Sequence, residues 1–169
     1  MVGAANTSYG SAMKTILAPV DFSGVTEFVV AQASALATTF GGRVVLLHVM
    51  QPPVITSEYA PFLENIGEMV AVGEKAAAKQ LARLQEQLQT AGIPADTLQF
   101  TGAPVTFILQ QAEKTQADYI VMGSHGHTAF YDLLVGSTTH GVLNKSPCPV
   151  LVVPDARRLK KAKAEPAKK

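Results

Sequence analysis

The stretch Asp118-Tyr-Ile-Val-Met122 followed by Gly123-Ser-His-Gly126-His-Thr-Ala-Phe-Tyr-Asp-Leu-Leu-Val-Gly136-Ser137-Thr138 reads as an apolar strand, a glycine-punctuated loop and the start of a short helix. Glycine lets a backbone approach a ligand closely and can take positive φ at little steric cost, a freedom open to Gly123 and Gly126. The first N–H groups of a helix have no intrahelical partner, so a strand, a glycine loop and a helix start in that order can cradle an anion. No Walker lysine follows Gly136, and the spacing matches neither the P-loop nor the dinucleotide fingerprint. On the residues alone, an anion site and an ordinary turn both remain open.

Working outward, the same alternation of strand and helix recurs along the chain. Thr15-Ile-Leu-Ala-Pro-Val20 and Arg43-Val-Val-Leu-Leu-His-Val49 are short apolar runs suited to buried parallel strands. Asp96 to Thr101, Asp118 to Met122 and Pro147 to Val153 make five. Ser23 is expected to cap a helix with Val25, Phe28, Val29, Leu36 and Phe40 on its apolar face, stopped by Gly41-Gly42. A loop is expected from Met50 to about Pro61. Phe62, Ile66, Met69, Val70, Ala77, Leu81, Leu84 and Leu88 then predict a long helix ended by Ala91-Gly92-Ile-Pro94. Pro104 opens a helix carrying Val105, Ile108, Leu109 and Ala112, and a short one is expected from Ser137 to Asn144.

This pattern predicts a single-domain α/β fold: a doubly wound, Rossmann-like, five-stranded parallel sheet of order 3-2-1-4-5 with helices on both faces. Such sheets bind ligands beyond the carboxyl ends of their strands, where strand order reverses. Here that point lies between the first and fourth strands, whose ends carry Asp21 and Gly123.

Of the 169 residues, 47% are hydrophobic and 16% charged, which excludes a disordered chain. The single cysteine, Cys148, has no intramolecular disulfide partner, and no Cys/His spacing matches a structural zinc site. Neither a signal peptide nor a membrane span is expected, and the chain reads as cytoplasmic. From Asp155 onward there are seven Lys/Arg against two Asp/Glu, and the preceding body holds seven against eleven. Residues 1–13 therefore read as a flexible extension, 14–154 as the folded domain and 155–169 as a basic, disordered tail. The acidic body argues against a dedicated nucleic-acid binder.

The motif Gly123-x2-Gly126-x9-Gly136-Ser137, with Ile16-Leu-Ala-Pro-Val-Asp21 at the first strand and Ser146-Pro-Cys-Pro-Val-Leu-Val-Val153 at the last, resembles the universal stress protein family over residues 13 to 154. The family contains members that bind ATP and members that lack the glycine motif and do not; this chain resembles the binding kind. The resemblance implies that Asp21, with backbone from Pro19 and Val20, meets adenine and ribose. It implies that Val49 lines the base pocket and that Met122 and Gly123 floor it. His125, Gly126, Gly136, Ser137 and Thr138 would surround the phosphates, although many relatives carry arginines where this chain has His125 and His127. It further implies ATP with Mg²⁺ or Mn²⁺ as cofactor and a homodimer paired through Val150 to Val153.

Each of these residues also has a plainer reading. Asp21 suits a helix cap or turn as well as a ligand contact. His125 and His127 suit an exposed loop better than a metal site, His48 and His140 read as structural, Cys148 as buried between two prolines, and Asp132 stays undecided. No nucleophile, base and orienting group assemble from spacing, so no catalytic residue is assigned. The expected function is an ATP-binding regulatory protein of the stress response. Its rivals are a slow ATP hydrolase or nucleotidyl-transferring enzyme, and an ATP-independent interaction module acting through the Pro52 to Ile66 segment or the basic tail.

Overall fold

The computed structural model describes residues 13–51, 66–124 and 135–154. Nine elements follow in order: β1 (Thr15–Pro19), α1 (Thr26–Phe40), β2 (Arg43–Met50), α2 (Ile66–Thr90), β3 (Ala95–Thr101), α3 (Pro104–Lys114), β4 (Tyr119–Gly123), α4 (Ser137–Leu143) and β5 (Val150–Val153). The strands form one parallel sheet of order β3-β2-β1-β4-β5, as the alternation predicts.

Three strand centres are apolar without alternation because both sheet faces are covered. Ile16, Ala18, Val44, Leu46 and Val121 pack on one face against α1 and α2. Leu17, Val45, Leu47, Ile120 and Met122 pack on the other against α3 and α4. Each fully buried Val, Leu or Ile contributes about 1.5–3 kcal/mol, so these central strands are the fold's anchor.

Helix α1 corrects two expectations. It begins at Thr26 rather than after a Ser23 cap, and its N-cap, Val25, makes no side-chain capping bond. The reason lies upstream: the Asp21 carboxylate accepts the Ser23 N–H at 3.0 Å, and the Ser23 carbonyl accepts the Thr26 N–H at 3.0 Å, so Ser23 is built into a turn. The buried stripe is also narrower in side-chain size than expected. Val25, Val29, Ala33 and Ala37 face the sheet, while Phe28 and Phe40 are 36% and 42% exposed. Small side chains let the helix axis lie close to the strands, and Phe40 instead stacks on Tyr119 with centroids 5.6 Å apart. Gly41 ends the helix in the left-handed conformation (φ 61°), where an L-residue would be strained.

In α2, Ala77, Leu81 and Leu88 carry the core contact, and of the predicted apolar positions Met69 is 70% exposed while Val70 is half-buried. Phe62, the expected loop to Pro61, the glycine loop from 125 to 134, and the stretches 1–12 and 155–169 lie outside the described residues. Pro104 occupies the first position of α3 and Ile108 and Ala112 are buried, as the sequence predicts. Strand ends differ from the predicted ones by one residue, except at β5, which starts at Val150 because Pro147 and Pro149 precede it and proline cannot donate to a ladder.

Candidate functional site

The carboxyl edge of the sheet opens where strand order reverses. β1 pairs with β4 at Ile16–Tyr119 and Leu17–Ile120, and there the ladder stops. Beyond it β1 stays with β2, Val20 N–H donating to the Leu47 carbonyl at 2.8 Å. β4 likewise stays with β5, Ser124 N–H donating to the Val153 carbonyl at 2.8 Å. Two neighbouring strands thus part company, and their ends lead into Asp21 on one side and Gly123 on the other.

The far wall is tied to β4 by two bonds. Thr139 Oγ1 donates to the Gly123 carbonyl at 2.8 Å, and Gly136 N–H donates to the Ser124 carbonyl at 2.7 Å. These set the start of α4 directly over the end of β4. Gly136, its N-cap, has φ −69° and ψ 161° and makes no side-chain capping bond. That backbone is open to any residue, so glycine is not required there for its torsion angles. Among the described glycines the left-handed region is taken by Gly41, Gly92 and Gly102; Gly123 closes β4 as strand and does not use that freedom.

The predicted residues divide by what they have left to offer. Asp21 is half-exposed beside the opening, and its carboxylate accepts the Ser23 N–H. Pro19 is the half-buried last residue of β1. Val20 is buried and its backbone is already engaged, the N–H with Leu47 and the carbonyl with His48. Met122 sends its side chain into the core, against which half-buried Val49 packs. Ser137 is exposed and Thr138 half-buried at the first turn of α4. His125, Gly126, His127 and Asp132 lie outside the described residues.

One residue at this edge was not singled out by its sequence context. Phe22 takes φ 60°, a left-handed conformation costing a non-glycine residue about 1–2 kcal/mol. Its ring lies 4.4 Å from that of His48, whose Nδ1 sits 2.8 Å from the Val20 carbonyl. His48 is structural, as expected, but it is structural for the turn that bears Asp21. Nearby, the hydroxyls of Ser23 and Thr26 are buried without a partner. A groove of about 440 Å³ lies between the start of α1 and α2 and is lined by Phe22, Thr26, Phe28, Arg83 and Leu84 among others.

A family model, the universal stress protein family, matches residues 13–154. The chain belongs to that family. It is 32% identical to universal stress protein MJ0577 of Methanocaldococcus jannaschii over 152 residues, covering 83% of this chain and 94% of that one. The MJ0577 structure superposes with a TM-score of 0.72 over 83% of this chain and 95% of the other, at 33% identity. Two more distant structures share the fold. A universal stress protein in complex with cAMP has a TM-score of 0.59 at 23% identity, covering 86% of this chain and 99% of its own. The universal stress protein of Archaeoglobus fulgidus in complex with dAMP has a TM-score of 0.57 at 20% identity, covering 84% and 98%.

Proposed function

We propose that this universal stress protein binds ATP in the opening between β1 and β4 and acts as a stress-response regulator through nucleotide-dependent conformation. The observation that carries the reading is the parting of those two strands at the sheet's switch point, with Asp21 and Gly123 at their ends and the uncapped start of α4 held above by Thr139. The donor chemistry fits the group. Asp21 suits the hydroxyls of a ribose, Val49 an apolar base edge, and Gly136, Ser137 and Thr138 the phosphate oxygens, with His125 and Gly126 completing the loop. Among the structures that share the fold, one universal stress protein is held with cAMP and another with dAMP.

Among the described residues no three His, Cys, Asp or Glu side chains cluster as metal ligands. Mg²⁺ or Mn²⁺ would enter with the nucleotide, on its phosphates. β5 is an edge strand with Leu151 39% exposed, which favours pairing of two copies through Val150 to Val153. No described helix is long and apolar enough to cross a membrane, and the proposed setting is the cytoplasm. The bound state would bias loop and dimer geometry through differential affinity for two conformations, not through fast turnover.

Native mass spectrometry of freshly purified full-length protein tests this. The expected result is a dimer carrying an adenine nucleotide per subunit; a nucleotide-free protein that also takes up none of the ATP added with Mg²⁺ overturns it.

A further inference from the structure

We infer that His48 is the positioning residue of the nucleotide site: a single imidazole grips the chain on both sides of Asp21 and fixes the direction in which its carboxylate enters the opening. The inference rests on the nucleotide reading above.

On the upstream side, His48 Nδ1 lies 2.8 Å from the carbonyl oxygen of Val20. A carbonyl only accepts, so Nδ1 carries the proton and donates, which fixes the tautomer and the ring plane. On the downstream side, the same ring packs on Phe22 with centroids 4.4 Å apart and planes inclined by 33°. Phe22 is the residue whose backbone is left-handed, and such a conformation persists only where its surroundings over-determine it. Asp21 is the one residue between the two anchors. Its own side chain then closes the turn by accepting the Ser23 N–H at 3.0 Å.

The backbone that carries the ring is held on both sides by the sheet. His48 lies within β2, in register with Gln99 of β3, and the next strand on the other side is β1. It therefore transmits the position of the rigid sheet to a turn that lies beyond the ladder. A residue merely filling this space would need bulk only; the two contacts need a donor at one ring position and a flat face.

The test is a double-mutant cycle on ATP affinity in the full chain, with His48→Leu, Asp21→Ala and the pair, read by fluorescent ATP-analogue titration up to millimolar concentration. His48→Leu alone should weaken binding about tenfold, comparable to losing one charge-assisted contact. His48→Asn, whose amide nitrogen takes the place of Nδ1, should stay within about threefold of the parent. In the Asp21→Ala background His48→Leu should add less than about twofold, since nothing remains to be positioned. Equal loss in both backgrounds, or no loss in either, overturns the inference. Should His48→Leu fail to fold, His48→Gln replaces it, because its amide reaches the Nε2 position instead. Amide-to-Hα couplings and NOEs of Phe22 in the ligand-free protein read the clamp without nucleotide. Loss of the left-handed conformation is expected in His48→Leu, and its retention contradicts the clamp. If the parent binds no adenine nucleotide, the functional reading fails by itself and the Phe22 measurement still decides whether the clamp exists.

Discussion

At the amino ends of the strands, Lys14 Nζ donates to Asp118 at 2.8 Å, the other Asp118 oxygen accepts the Thr15 N–H at 2.9 Å, and Arg43 joins Asp96 at 3.1 Å and Thr15 Oγ1 at 3.2 Å. β1, β2, β3 and β4 are stitched together there. At the carboxyl ends β1 and β4 separate after Leu17 and Ile120, Phe22 is strained, and two hydroxyls are buried without partners. The sheet is tied together at one end, and at the other β1 and β4 alone part while β1–β2 and β2–β3 stay paired. Satisfied polar groups hold the closed end in one arrangement, while unspent ones at the open end lower stability slightly and leave room for a ligand.

The sharpest break between the two ends is expected from Gly136→Val. Its φ of −69° suits valine, so the fold should survive. Close approach at the start of α4 should be blocked, lowering ATP affinity about a hundredfold, equivalent to about 2.8 kcal/mol. Calorimetry alongside a thermal melt separates the two effects; unchanged affinity removes the phosphate cradle. Asp21→Ala should cost about tenfold in ATP affinity, as expected for losing a contact from a charged group. A titration showing parental affinity would take Asp21 out of the site.

The closed end should behave in the opposite way. Asp118→Ala should lower the melting temperature by about 3 °C and leave ATP affinity unchanged. The pH dependence follows from the same contacts. Bonds from Lys14 and then Thr15 hold the Asp118 carboxyl below its ordinary value of 3.8, so its contribution is present above that value and lost as pH falls through the lower folded one. The bond to Asp118 and its charge hold the Lys14 ammonium above 10.5, so its contribution is present below that value and lost as pH rises through the higher folded one. The gap between parent and Asp118→Ala melting temperatures should therefore be flat at neutral pH and narrow toward both extremes. A gap that persists unchanged at strongly acid pH would refute the assignment.

The smallest expected effect belongs to Thr26→Val at the open end. Thr26 is 6% exposed and its hydroxyl lacks a partner, so an isosteric methyl should raise the melting temperature by about 2 °C. A lower value would mean that the hydroxyl is satisfied in solution.

Much of this molecule is legible in the sequence, for reasons that can be named. Ile16 to Ala18, Val44 to Leu47 and Ile120 to Met122 announce strands buried on both faces because nothing polar interrupts them, and alternation with helices then fixes sheet order and the position of the opening. Helix α1 was less legible. Apolar periodicity weights large side chains, yet distance to the sheet selected Ala33 and Ala37 and left Phe28 and Phe40 outside. The turn after β1 misled because Ser23 is a good cap by composition, while here the Asp21 carboxylate holds its N–H in a turn and its hydroxyl caps nothing. The His48 clamp could not be read at all, since it joins residues 20, 22 and 48 only after β1 and β2 have paired.

The central claim is that the opened end of the sheet is a nucleotide site. Calorimetric titration of ATP into the full chain, with and without Mg²⁺, meets it most directly. The predicted result is saturable binding of one ATP per subunit that Gly136→Val weakens about a hundredfold and Asp118→Ala leaves intact; absence of saturable binding up to millimolar ATP, or equal loss in both variants, would contradict it.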